Sequence, residues 1–277
     1  MRPMVFAHRG GAGLAPENTI VAFDNGLATG AGGIELDVRL SLDGVAVVMH
    51  DPTLDRTTDA TGPVGNLTAS ELADVDAGYR FERDGSNPFR GRGIGVPSLR
   101  AVLSRYATTS IIVELKSAEP RLAHAVVEDI HATGTLGVVT IGSFQKGALD
   151  AVRDCDPSVR TGADMDQIRS GLESSAPGGS SRRPAFDAFQ VPEVYAGTRI
   201  VTPEFIARAH DAGVVVVVWT VDREEDMRRL LEWGVDGLIT DRPDIAVPVV
   251  SGWIGSPTAE CRVLDLAPGR ATGPGGR

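Results

Sequence analysis

The chain has 277 residues, 42% of them hydrophobic and 23% charged, with a formal net charge of -10. That length suits one large domain, and no low-complexity linker divides its middle. The acidic balance excludes a nucleic-acid partner and electrostatic adhesion to an anionic membrane surface, which leaves a small ligand as the expected partner.

Only Cys155 and Cys261 are present, too few for a disulfide framework and matching no zinc-ligand spacing. The N-terminus reaches His8-Arg9 before an apolar segment of signal-peptide length can form. The longest apolar run, Val214 to Trp219, is far short of a membrane span. A cytoplasmic protein without stable membrane insertion is expected, and the chain carries no readable indication of oligomeric state.

In chain order, Val5-Phe6-Ala7 reads as a short apolar strand ending in the polar loop His8-Arg9-Gly10-Gly11-Ala12-Gly13. Asn18 or Thr19 can cap a helix that runs to about Ala28, with Ile20, Phe23 and Leu27 on one side. A second strand covers Ile34 to Leu40. Ser41-Leu42-Asp43-Gly44 turns it into Val45 to Met49, followed by His50-Asp51-Pro52. From Pro52 to about Gly95 the pattern loses regularity, apart from a weak helical stretch at Thr68 to Val75, and reads as an excursion from the main fold.

Order returns with a helix capped by Ser98 and a third strand from Ser110 to Lys116. Helices at Leu122 to His131 and Ala148 to Arg153 then alternate with strands at Val138 to Ile141 and Val159 to Ala163. A shorter helix near Met165 to Leu172 leads to a Ser, Pro and Gly cluster at Ser174 to Pro184, expected as a surface loop. Strands at Phe186 to Val191, Val214 to Trp219 and Asp236 to Ile239 complete the pattern, separated by helices at Pro203 to His210 and Glu224 to Leu231. Eight strands alternating with helices predict an α/β chain with a parallel sheet closed into a (β/α)₈ TIM barrel. One barrel domain is expected over residues 1–248, interrupted after strand 2 by the excursion at about 52–95, with an extension over 249–277. The Pro- and Gly-rich end after about Ala267 reads as disordered.

The chemistry starts at Ile34-Glu35-Leu36-Asp37-Val38. Alternate residues of a strand share a face, so Glu35 and Asp37 point together. Two like charges on a buried face are costly unless something neutralises them, and a divalent cation can. His8 closes the first strand, Glu114 sits late in the third and Trp219 ends the seventh, so all these groups fall at the C-terminal rim where barrels of this type carry their sites. Five satisfied polar plugs gathered at one rim is the weaker alternative. Three carboxylates without a cysteine make an all-oxygen site suited to Mg²⁺ or Ca²⁺. His8 and His50 suit acid–base work near neutral pH, while His124, His131 and His210 fall on helix patterns. A dinucleotide reading of the Gly11-Ala12-Gly13 loop fails, because Pro16 occupies the position of the third glycine and one of the two carboxylates is left without a role.

The set His8-Arg9-Gly10, Pro16-Glu17-Asn18-Thr19, Glu35-x-Asp37-Val38, His50-Asp51, Leu54-Asp55-Arg56-Thr57, Val96-Pro97-Ser98-Leu99, Glu114-x-Lys116, Trp219-Thr220-Val221 and Asp236-Gly237-x-x-Thr240-Asp241 resembles the glycerophosphodiester phosphodiesterases in order and spacing. The resemblance implies that residues 1–248 are a catalytic (β/α)₈ barrel with a small inserted subdomain after strand 2 at about 52–95, which hydrolyses glycerophosphodiesters to glycerol 3-phosphate and an alcohol, with one divalent cation and a small-molecule substrate. By resemblance, Glu35, Asp37 and Glu114 are metal ligands and His8 and His50 the general acid and base. Arg9 and Lys116 would hold the phosphate, Glu17 would fix the first loop beside the substrate, and Trp219 would wall the glycerol. Phe189 to Tyr195 departs from the pattern by lacking an Asn-Pro pair found in many members. The attacking oxygen is open between water and the neighbouring glycerol hydroxyl. Rival readings are a lysophospholipase D or sphingomyelinase D-like phosphodiesterase, which wants an exposed apolar rim, and a non-catalytic phosphoester-binding barrel.

Overall fold

Among the described residues eight strands lie side by side in parallel, each followed by a helix that packs back on the ring. The computed structural model describes residues 2–173 and 184–253. The strands are β1 (Met4–His8), β2 (Gly33–Leu40), β3 (Ser110–Leu115), β4 (Val139–Gly142), β5 (Arg160–Thr161), β6 (Ala188–Pro192), β7 (Val215–Trp219) and β8 (Gly237–Thr240). The helices that follow them are α1 (Ile20–Ala28), α2 (Leu99–Arg105), α3 (Pro120–Thr133), α4 (Lys146–Cys155), α5 (Met165–Glu173), α6 (Pro203–Asp211), α7 (Glu224–Trp233) and α8 (Pro243–Gly252).

Hydrogen bonding runs in the order β5-β4-β3-β2-β1-β8-β7-β6. The ring closes between its two ends through a parallel bridge of Gly162 with Ala188, where Ala163 N donates to Ala188 O at 2.9 Å and Asp187 N to Thr161 O at 2.8 Å. β5 is thus two residues long rather than the five expected from Val159 to Ala163, because its partners on either side meet it over a short overlap.

Side-chain alternation explains where the core and the site lie. On β2, Ile34, Leu36 and Val38 face outward into the main hydrophobic cluster with Phe23, Leu99 and Leu122. The inward residues make two layers. Phe6, Ile112, Val217 and Ile239 form an apolar plug inside the barrel. Two residues further along each of those chain segments stand His8, Glu114, Trp219 and Asp241, one layer nearer the C-terminal rim. Gly33 belongs to the plug layer because a Cβ there would lie 2.6 Å from the Phe6 ring. The plug keeps the polar layer above it on a rigid, dry floor.

Side-chain caps place three of the helix starts on the barrel. Thr19 caps α1 by accepting from Ala22 N at 3.2 Å, Ser98 caps α2 from Ala101 N at 3.3 Å, and Thr202 caps α6 from Phe205 N at 3.2 Å. α8 has no counterpart among the helices expected from sequence periodicity. It is largely apolar with Pro248 inside, it lacks a polar face, and it runs across the 248 boundary to Gly252. Its end is tied to the start of the chain by Arg2 Nε donating to Val250 O at 3.2 Å.

The excursion after β2 is preceded by a short antiparallel strand, Ala46–Val48, narrower than the expected Val45 to Met49. It contains a helix at Ala69–Asp74, whose start is closed by a reciprocal capping box between Thr68 and Glu71. Val47, Met49, Leu54, Val64, Leu72, Ala77 and Val96 form a separate hydrophobic cluster there. Residues 174–183, most of the expected surface loop, and the tail from 254 onward lie outside the described residues. Among the described residues no helix is long and apolar enough to cross a membrane.

Candidate active site

The first loop is shaped by left-handed backbone at Arg9 (φ 50°), Gly10 (φ 87°) and Asn18 (φ 59°). Gly10 has no alternative, since a Cβ would lie 2.7 Å from Ala22 in α1. The loop returns on itself through Asn18 N donating to Arg9 O at 2.9 Å. Asn18 then grips Asp37 from both sides. Its amide nitrogen donates to Asp37 Oδ2 at 2.8 Å, and its oxygen accepts from Asp37 N at 3.2 Å.

Strand register brings the acids together. His8 pairs with Glu35 across β1 and β2, and Asp37 with Glu114 across β2 and β3. Carboxylate oxygens of Glu35, Asp37 and Glu114 lie within 4.8 Å of one another. Two partly buried cations stand among them. Lys116 Nζ lies 2.9 Å from Asp37 Oδ1 and 2.8 Å from Glu114 Oε1, and Arg9 Nε lies 3.2 Å from Asp37 Oδ2.

The three acids do not titrate alike. Burial would raise Asp37, but Lys116 and Arg9 outweigh it and hold its carboxyl below the usual range. Glu35 is pushed up to about 8 by burial, by the charge of Asp37 and by that of Glu114. Its compensation is small, a backbone hydrogen bond from Arg9 N at 3.1 Å and the His8 ring at 3.8 Å. The cluster therefore lacks the positive charge needed to keep all three acids ionised at neutral pH. Asp37 Oδ1 is also buried without a well-aligned hydrogen bond, despite its close ion pair with Lys116. An all-oxygen donor set with an underpaid charge fits a hard divalent cation such as Mg²⁺ or Ca²⁺.

Each of the two candidate histidines is backed by a carboxylate. His8 Nδ1 lies 2.7 Å from Asp241 Oδ1, and His50 Nδ1 lies 2.6 Å from Asp51 Oδ1. Burial would lower His8, but Glu35 and the Asp241 hydrogen bond raise it above the ordinary value. A carboxylate on Nδ1 fixes the ring and leaves Nε2 to face the cavity. Arg39 Nε donates to His50 O at 2.8 Å and steadies the backbone of that loop.

A cavity of about 170 Å³ opens over this layer, and His8, Arg9, Glu35, His50, Glu114, Lys116 and Trp219 all line it. Asp37 lies beneath, fully buried. Glu17 is not in the lining; it accepts from Arg9 Nη1 at 2.9 Å and from two Arg56 nitrogens at 2.7 Å each, which ties the first loop to the excursion. Trp219 stands edge-on to Phe144 with ring centroids 5.4 Å apart. His124, His131 and His210 lie elsewhere on helices, His131 against Asp156 at 2.9 Å and His210 against Asp236 at 2.8 Å.

Sequence reasoning assigned no part to Asp241, Asp51 or Arg56, although all three stand in the quoted motifs. Asp51 adjoins His50, and Asp241 closes the last strand as His8 closes the first, so both were within reach of the rim argument. Arg56 is different, because its partners are far apart in the chain. It pairs with Asp51 through Nε at 2.6 Å and with Glu17, so one guanidinium connects the partner of His50 to the partner of Arg9. Arg56→Gln is expected to reduce kcat about 10-fold or more through misplacement of these groups. Arg56→Lys, unable to hold two carboxylates side-on, should recover little of it. Unchanged kcat in both variants would dismiss the connection as a surface pair.

Fold and site together define a class: (β/α)₈ barrels that carry an acidic, cation-ready site with paired histidines at the C-terminal rim. Residues 8–245 match the model of the Glycerophosphoryl diester phosphodiesterase family, and the chain belongs to that family. It is 35% identical over 255 residues to a glycerophosphodiester phosphodiesterase of Caldanaerobacter subterraneus, covering 90% of this chain and 98% of that protein. Among solved structures, it is similar to a glycerophosphodiester phosphodiesterase of Agrobacterium tumefaciens, with TM-score 0.72, 30% identity and coverage of 89% and 99%. It is also similar to a phosphodiesterase of Oleispira antarctica in complex with the product sn-glycerol 3-phosphate, with TM-score 0.73, 25% identity and coverage of 90% and 97%.

Proposed function

We propose that this chain hydrolyses glycerophosphodiesters to sn-glycerol 3-phosphate and an alcohol with the help of one divalent cation. The observation that carries the reading is the convergence of Glu35, Asp37 and Glu114 beside a cavity flanked by His8 and His50. Family membership and the product bound in the Oleispira relative support the substrate class.

In this reading Glu35, Asp37 and Glu114 hold Mg²⁺ or Ca²⁺. The cation, when bound, supplies neutralisation of charge on the phosphoryl oxygens. Arg9 and Lys116, both lining the cavity, take the remaining phosphate oxygens. One histidine accepts the proton of the attacking oxygen through Nε2 and the other donates a proton to the leaving alkoxide, while Asp241 and Asp51 keep the two rings aligned. Glu17 holds Arg9 in place, and Trp219 walls the glycerol side.

The test is release of sn-glycerol 3-phosphate from glycerophosphocholine, glycerophosphoethanolamine, glycerophosphoglycerol and glycerophosphoinositol, first in chelator and then with Mg²⁺ or Ca²⁺ restored. Cation-dependent release is expected. Release from none of the diesters, with hydrolysis of a lysophospholipid instead, would overturn the reading.

A further inference from the structure

The cavity has two unlike halves. On the side of β1, β2 and β3 it is lined by His8, Arg9, Glu35, His50, Glu114 and Lys116. On the side of β4 to β7 it carries no charged side chain among the described residues and is walled by Phe144, Ala163, Met165, Ile168, Ile200 and Trp219. Four polar side chains of the described residues interrupt that wall, Ser143, Tyr195, Thr220 and Gln190. Ser143 is committed, since its hydroxyl donates to Leu115 O at 2.8 Å and accepts from Gln145 N. Thr220 and Tyr195 are both exposed to solvent.

Gln190 points inward from the middle of β6, level with Val217 on β7. Its amide lies where two neighbouring strands have no side chain. A Cβ on Gly142 would stand 2.5 Å from Gln190 Oε1, and one on Gly162 would stand 2.9 Å from it. Gly142 is also the register partner of Glu114, so the slot opens at the level of the carboxylate cluster, one strand away from Glu114. Among the described residues no side chain or backbone group satisfies the Gln190 amide. An amide in an apolar wall, without a protein partner and in a slot cleared by two glycines, is arranged to meet a ligand.

We propose that Gln190 determines specificity by hydrogen-bonding a hydroxyl on an uncharged, hydroxylated substituent of the phosphodiester. The proposal rests on the functional reading above, which puts the phosphate at the polar half. A substituent reaching into the other half then meets aromatic and aliphatic walls that suit carbon, one amide that suits a hydroxyl, and no carboxylate to receive an ammonium. The glycerol part of a glycerophosphodiester has that composition. A site built around such an amide rejects a ligand that lacks the hydroxyl, because the amide is then left unpaired.

The experiment is calorimetric binding of sn-glycerol 3-phosphate and of n-propyl phosphate, which lacks both hydroxyls, to the Mg²⁺- or Ca²⁺-supplied protein. The wild type is expected to prefer glycerol 3-phosphate by about 10-fold or more. In Gln190→Met the preference should collapse to about threefold or less, with cation affinity unchanged. Gly142→Ala keeps the amide but fills its slot and should produce the same collapse. A wild-type ratio near one, or a ratio preserved in Gln190→Met, overturns the proposal. Absence of diester hydrolysis would defeat the functional reading alone, since the binding ratio does not depend on turnover.

Discussion

Replacing His50 with alanine is expected to lower kcat about 10²–10⁴-fold and to leave the thermal midpoint nearly unchanged. The His50 ring packs into neither hydrophobic cluster, and its side chain is 32% exposed, so little burial is lost with it. Its role in the proposed reaction depends on Nε2, because Nδ1 is taken by Asp51. His50→Gln, which restores a polar group without a ring proton donor and acceptor, should be nearly as inactive. The corresponding change at His8 is a poorer test, because that ring also stands between Glu35 and Asp241 and its removal leaves buried acid behind. If His50→Ala turns over at the wild-type rate, the two-histidine scheme is wrong.

The second large effect is on stability in chelator. Glu35 has a folded-state pKa of about 8 against an ordinary 4.5, caused first by burial and then by Asp37 and Glu114. A carboxyl raised on folding binds its proton more tightly in the native state. Its stabilising contribution is complete below pH 4.5 and is lost as the pH rises through 8. The cation-free protein should therefore lose stability, on the order of 3–5 kcal/mol, between pH 5 and about 8.5. Mg²⁺ or Ca²⁺ should restore far more at pH 8 than at pH 5, since at low pH it competes with the proton. Glu35→Gln, neutral at every pH, should flatten the dependence and weaken the response to cation. Chemical denaturation across that range measures both. A cation-free protein equally stable at pH 5 and pH 8 would contradict the charge imbalance inferred for the cluster.

Much of this architecture could be read directly from the chain because it is governed by local rules. The valine run of β7, the Glu35-x-Asp37 alternation and the caps at Thr19, Ser98 and Thr202 each depend on residues within a few positions of one another. The alternation that aims Glu35 and Asp37 inward also places Ile34, Leu36 and Val38 in the outer core, so strand, face and candidate site followed from one pattern. What escaped was either weakly patterned or long-range. α8 lacks a polar face, and β5 is fixed by closure of the ring rather than by its own composition. The clamp of Asn18 on Asp37, the span of Arg56 and the slot beneath Gln190 join segments 19 to 48 residues apart, which no window along the chain can see.

The separate hydrophobic cluster of the excursion has a bearing on how the molecule fails. His8 and the three carboxylates are mounted on the barrel ring, whereas His50 and Asp51 sit where the chain leaves it, beside a small core of their own. Such a satellite can open as a cooperative unit at lower free energy than the whole. Loss of that foldon carries one histidine away and leaves the acidic cluster intact. Heat inactivation is therefore expected to precede global melting, through a species that keeps the acidic cluster but no longer holds both histidines in place.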